Sequence, residues 1–347
     1  MSLLFLDGMD HCSGLQVHMK YDRVTWQLAG VDESVTGGRF NGQTLILHTL
    51  TGTMQLGMST AVVSKLITGL GINTQSVAGN SVALLQLLWS GTRQIAAHYT
   101  ASKTLVLFCG SAGAVASSGS AVLGLTSAWN WVEMEGYWHA SVGSCTVYVS
   151  DVPVVSFTGD TTNGAGASGM NQVDWRVPLS GGLVYMYFDD FYVLDDQGSA
   201  NTTRVGSTAR IRTVYPSADV TVSMTPLTGA SNWPMVDETG QWDGAVTYVH
   251  ASAASTYDLY GLGSVVGSWS ANEVPRGVQV VATALTISGT ATIAVQLVLS
   301  GVTSRTASQT LSTAFTQAHR LVGDTTPGGS AWAVSLMSAI QIGAGYA

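Results

Sequence analysis

The sequence predicts an all-β protein: a jelly-roll sandwich followed by a second, smaller β-sandwich domain. Three observations predict it. Polar and apolar residues alternate with period two in many short runs. The runs stop at Gly, Ser, Asp or Pro clusters, in a chain of 347 residues that contains 40 glycines. Long helical periodicity is scarce.

Cys145–Ser150 is the clearest strand. Cys145, Val147 and Val149 share one face, and Thr146, Tyr148 and Ser150 share the other. Val184–Leu194 reads as a strand ending in Asp195-Asp196-Gln197-Gly198-Ser199. Strands also begin at Gly277 and Thr290, the latter rich in β-branched residues. Two short helices are expected, over 60–66 and 330–339. Ser330 would cap the second, which opens with Ala331 and Trp332, and a last strand would cover Ile340–Ala347. The polar stretch near Gln197–Ser207 sets a boundary between a domain over 1–198 and one over 199–347, with a new strand starting at Arg210.

Composition excludes several function classes. There are 13 Lys+Arg against 21 Asp+Glu, a net charge of −8. A duplex nucleic-acid partner would need a basic face to neutralise phosphates, so none is expected. The 46% hydrophobic content argues against disorder. Mean hydropathy is +0.27, yet no run approaches the roughly 20 apolar residues of a spanning helix, so membrane insertion is not expected. The N-terminus reaches Asp7 without a basic segment, unlike a secretory signal. Cys12, Cys109 and Cys145 form no CxxC pair and read as free thiols made in a reducing cytosol.

Gly164-Ala-Gly-Ala-Ser-Gly169 matches GxGxxG but lacks the strand before and helix after that a dinucleotide requires, so it reads as a loop. No GxSxG, HExxH or P-loop occurs, and the histidines are scattered. On a strand, Trp131, Glu133 and Glu135 would share a face, as paired carboxylates do in some glycosidases; the alternative is a solvated outer face over a core of Val132 and Met134. Trp129, Trp131 and Trp138 cluster in sequence, as do Trp233 and Trp242. They serve either packing or sugar stacking. Trp129, Trp131, Glu133 and Trp138 are therefore the candidate glycan-binding residues. No cofactor is expected, although calcium is possible on Asp189 and Asp195, the weak metal candidates among Asp189, Asp190, Asp195 and Asp196. Asp189 and Asp190 would face opposite sides of a strand. Asn201-Thr-Thr203 is a glycosylation sequon in form only.

Several segments together resemble a family of tailed-bacteriophage virion proteins with an N-terminal concanavalin A/laminin-G-like domain. They are Leu4-Phe-Leu-Asp-Gly-Met-Asp-His, Gly37-Gly-Arg-Phe-Asn-Gly, Trp129-Asn-Trp-Val-Glu-Met-Glu, Thr146-Val-Tyr-Val-Ser-Asp-Val-Pro-Val and Phe188-Asp-Asp-Phe-Tyr-Val-Leu-Asp-Asp-Gln-Gly-Ser. Val152 stands where that pattern has glycine. Arg210-Ile-Arg-Thr-Val-Tyr-Pro-Ser-Ala-Asp, Val236-Asp-Glu and Leu311-Ser-Thr-Ala-Phe resemble the family's second domain. The block from Asp189 to Asp219 carries the most specific likeness.

The resemblance implies a virion structural protein, an external tail appendage or fibre-like component made in the bacterial host cytoplasm. It implies partners among other phage virion proteins, self-association as a homotrimer, and contact with host-surface polysaccharide. It transfers no catalytic residue, so no enzyme is expected. The alternatives are a capsid decoration or head-fibre protein, and a virion-associated glycan-degrading enzyme.

Overall fold

The structure, a computed structural model, describes residues 2–9, 21, 23–26, 35–40, 43–49, 52–77, 81–120, 128–164, 166–179, 184–237, 246–263, 273–314 and 318–347. Cys12, Trp242, Glu238 and Phe315 lie outside them. The chain divides into two compact units. The described part of the first covers residues 2–9 and 21–211, and that of the second covers 212–347.

The first unit contains β1 (Leu3–Asp7), β2 (Arg23–Trp26), β3 (Val35–Thr36), β4 (Gln43–Thr49), β5 (Gly52–Val63), β6 (Lys65–Val77), β7 (Val82–Trp89) and β8 (Thr92–Tyr99). It continues with β9 (Leu105–Cys109), β10 (Ala114–Ser117), β11 (Asn130–Tyr137), β12 (Gly143–Val149), β13 (Val152–Gly159), β14 (Met170–Leu179) and β15 (Val184–Asp195). They form two antiparallel sheets. One runs β13-β12-β11-β6-β15-β4-β3, with β1 added on β15; the other runs β10-β9-β8-β7-β14-β5-β2. Consecutive strands fall in different sheets at β1–β2, β2–β3, β4–β5, β5–β6, β6–β7, β10–β11, β13–β14 and β14–β15, as in a jelly roll.

Period-two patterning selects the inward face. In β12, Cys145, Val147 and Val149 are buried while the residues between them are half-buried. Trp175 of β14 meets Phe188 of β15 at 4.4 Å across the sandwich, and Phe5, Tyr21 and Phe191 extend that aromatic core. Gly136 of β11 lets the sheets approach: a Cβ there would fall 2.3 Å from Leu87 Cδ1 and 2.9 Å from Ile95 Cδ1. Cys109 and Cys145 are both free thiols buried in this core. Contact with Cys109 and burial hold the Cys145 thiol well above its usual range.

The second unit holds β16 (Pro216–Thr221), β17 (Thr225–Pro226), β18 (Val249–His250), β19 (Thr256–Leu262), β20 (Val278–Thr283), β21 (Thr292–Leu299), β22 (Val302–Arg305), β23 (Gln309–Thr310), β24 (Ala318–Gly323) and β25 (Gln341–Tyr346). The sheet β16-β19-β25-β21-β22, with β23 on β21, packs against the two-stranded β20-β24. Val280, Val295, Leu297, Leu299, Trp332, Met337 and Ile340 form the core between them.

Three local expectations are corrected. Residues 60–66 extend β5 and begin β6, because pairing with β14 and β11 overrides a short local helical pattern. The helix expected over 330–339 is a 3₁₀ segment, Val334–Ala339, without a side-chain cap; Trp332 instead enters the core and donates to the Gly323 carbonyl at 2.8 Å. The strand expected from Arg210 starts only at Pro216. Gly164–Gly169 lies in the connection from β13 to β14, with no helix following it. Among the described residues no helix is long and apolar enough to cross a membrane.

Candidate functional site

The outer face of the eight-stranded sheet carries most of the residues singled out from sequence. Trp131 and Glu133 alternate outward on β11, but they are 2% and 0% exposed. Glu133 is covered by the chain's own segment 204–211, and Trp131 by Arg39 and Tyr192. Glu133 Oε2 accepts from Arg204 at 2.5 Å, and its Oε1 accepts from the Tyr192 hydroxyl at 2.5 Å and the Gly206 N–H at 2.9 Å. Arg204 lies 3.5 Å from the centroid of the Tyr148 ring. Asp151 accepts the Ser207 N–H at 2.9 Å, and the Ser207 hydroxyl also donates to it.

Arg39 holds the other half of this clasp. Its backbone N–H donates to Asp189 at 2.7 Å. Its guanidinium donates to the Ala209 carbonyl at 2.7 Å, to the Ser207 carbonyl and to Asp190 at 3.4 Å. It also stacks on Trp131, 4.4 Å from the ring centroid. Burial lowers the Arg39 pKa, against the pull of Asp190. Burial, then the Glu133 charge, pushes the Tyr192 phenol well above its usual value.

The local backbone makes this possible. Asp190 sits at φ +52°, inside a register shift between Asp189 and Tyr192 on β6. This bulge turns Asp189 and Asp190 toward the same residue, Asp189 accepting the Arg39 backbone N–H and Asp190 its guanidinium, where a regular strand would send them to opposite faces. Asp190 also accepts the Ile211 N–H at 2.7 Å. Ser150 and Asp151, at φ +47° and +70°, form the two-residue turn between β12 and β13, so Val152 is a strand residue and needs no glycine. Gly69 and Gly71 of β6 supply the floor. A Cβ at Gly69 would meet Tyr192 at 2.4 Å, and one at Gly71 would meet Arg39 at 2.9 Å.

The structure therefore corrects the candidate glycan platform. Trp131 and Glu133 are interior groups. Glu135 pairs with Lys65, so the β11 carboxylates are both engaged. Trp129 and Trp138 are half-buried and lie at opposite ends of β11, roughly 30 Å apart along the strand. Trp138 donates to Gln94 at 3.1 Å.

Asp195 is no freer: it accepts the Ser2 and Gln197 N–H groups, each at 2.9 Å. Asp196 accepts from Ser64 at 2.7 Å. Among the described residues no three His, Cys, Asp or Glu side chains converge as a metal cage. Arg39, Tyr192 and Arg204 were not singled out as site residues from sequence; only the resemblance marked the segments holding them.

A second polar surface lies on the outer face of the seven-stranded sheet. There His98 packs against Phe108 with centroids 4.4 Å apart, and Arg93 lies 5.0 Å from the same ring. Among the described residues neither ring nitrogen of His98 has a hydrogen-bond partner.

No protein-family model and no curated protein matches the chain. Solved structures with similar strand arrangements include a sialidase (10% identity, TM-score 0.36), a cellulose-induced protein (12%, 0.43) and an alginate lyase (7%, 0.38). They cover 45%, 58% and 48% of this chain, which spans 16%, 99% and 88% of theirs.

Proposed function

We propose that the chain is a structural subunit of a bacteriophage virion, an external tail component whose second unit self-associates and whose first unit contacts host-surface glycan. The observation that carries this reading is the distribution of exposed large apolar side chains: among the described residues nine lie in the second unit, Ile287 at 94%, Val246 at 68% and Val274 at 64% being the most open, against Val62, Val142 and Val152 in the first. Val220 and Val222, at β16, and Leu227 and Tyr248, at the β17–β18 ribbon, are exposed too. Exposed apolar side chains that gather into a patch mark subunit contacts. The sequence resemblance supplies the virion context. A structural role is favoured over a glycan-degrading one because Glu133 is sealed in an ion pair and Glu135 is engaged by Lys65.

Immunogold labelling of purified particles tests the reading. Gold on the tail is the expected result. Gold on the head lattice would favour the decoration protein, and absence from the particle would overturn the virion assignment. Light scattering tests the self-association: the full chain is expected to run as a trimer, and Leu227→Ser with Tyr248→Ser to shift it toward monomer.

A further inference from the structure

The outer face of the seven-stranded sheet holds a built arrangement that neither the clasp nor the core uses. Its side chains fall in two adjacent cross-strand rows. In one, Val106 of β9 pairs with His98 of β8, His98 with Ala83 of β7, and Ala83 with Arg176 of β14. In the other, Phe108 pairs with Ala96, Ala96 with Gln86, and Gln86 with Asp174. The inward face is set independently, since Leu87 and Ile95 line the core beneath Gly136.

The two alanines, 1% and 0% exposed, and Gln86, 8% exposed, lie buried between a ring pair and a charged strand. On one side stand His98 and Phe108, with Arg93 over the Phe108 ring. On the other stands Arg176, exposed and on the same row as His98, about 10 Å away across two strand spacings. The Asp174 carboxylate belongs to this face as well. It leans over Gly57 toward β5 and accepts from Gln55, away from the rings.

We propose that this face binds a carboxylate-bearing polysaccharide, with Arg93 and Arg176 engaging the anionic groups and the Phe108–His98 pair packing against a sugar ring. The proposal deepens the glycan-contact reading above and rests on it. The charge argument is local. A chain of net charge −8 places two arginines on one sheet face, and among the described residues neither is paired with a carboxylate. Their field is felt there: burial first, then Arg93 and Arg176, lowers the His98 pKa to about 4. Guanidinium groups suit carboxylates because their planar donors match both oxygens. An aromatic face presents the apolar stacking surface that a pyranose ring needs.

Isothermal titration of the full chain with an oligogalacturonate, and with a neutral dextran of equal length, tests the assignment. The expected result is binding of the oligogalacturonate alone, weakened roughly tenfold or more in Arg93→Gln/Arg176→Gln at an unchanged melting temperature. Lys65→Gln, on the opposite sheet, is expected to bind as the parent does. Equal binding by the double variant and the parent overturns the face. Binding of dextran without preference for the acidic oligomer overturns the carboxylate specificity and leaves glycan contact standing. Binding of neither, together with a blank glycan array, overturns both.

Discussion

Two glutamates on one strand face have different energetic weights. Glu133 is wholly buried and serves three donors, whereas Glu135 is 31% exposed and serves one lysine. Glu133→Gln is expected to cost about 2–4 kcal/mol by leaving Arg204 and the covered N–H groups poorly matched. Glu135→Gln should cost under about 1 kcal/mol. Urea denaturation of both variants measures the difference, and equal losses would contradict the burial of Glu133.

His98 makes a second prediction at the same scale. Its folded pKa, about 4, lies below the ordinary 6.5. The unfolded chain therefore takes up the proton first as pH falls, and stability is lost between about 6.5 and 4. Removing the imidazole in His98→Gln should flatten that part of the stability profile, by an amount on the order of 2–3 kcal/mol. Thermal melts of parent and variant across that range give the comparison.

At the scale of the element, β6 and β15 are shaped by what must lie on them. Gly69→Ala is expected to destabilise by about 1–3 kcal/mol, because its Cβ would overlap the Tyr192 ring. Ala at Gly113, where nothing lies within 4 Å, is the control. Denaturation midpoints of the two variants decide it.

Strands of this kind were legible in sequence where one face met the core. The alternation of β12 is plain because each inward residue is apolar. The site was less legible. That Glu133 and Trp131 share a face follows from period two, but what covers the face comes 71 residues further along, at Arg204. Local patterning carries no information about such a partner. The bulge at Asp190 was hidden for a related reason: a single non-glycine residue in the left-handed region leaves no mark on composition. The arrangement around the Phe108–His98 pair was missed because its two rows cross four strands, while each row takes only one side chain from each strand.

For the whole molecule, the first unit extends beyond the boundary expected at Gly198. Residues up to Ile211 belong to it through Glu133, Asp151, Asp190 and Arg39. A fragment of residues 1–211 is therefore expected to melt as one cooperative unit. A fragment of 1–198 should melt at least several degrees lower, since it leaves Glu133 without Arg204 and Arg39 without its carbonyl partners. Calorimetry of the two fragments is the measurement, and equal melting temperatures would show that the clasp adds nothing to the first unit.

The second unit repeats the device on its own terms. Asp258 is 0% exposed and accepts the Ser223 and Met224 N–H groups and the Tyr260 hydroxyl. Each unit thus uses carboxylates to anchor loop backbone, Glu133, Asp190 and Asp195 in the first and Asp258 and Asp219 in the second.

The clasp also orders events during synthesis. Arg39, Glu133, Asp151 and Asp190 emerge from the ribosome before the strap that satisfies them. Until Ile211 has cleared the exit tunnel, the nascent first sandwich carries an uncapped buried-type carboxylate and an unanchored arginine on an otherwise finished sheet. A translational pause placed before residue 204 would prolong that exposed state, while one placed after 211 would find the domain already closed.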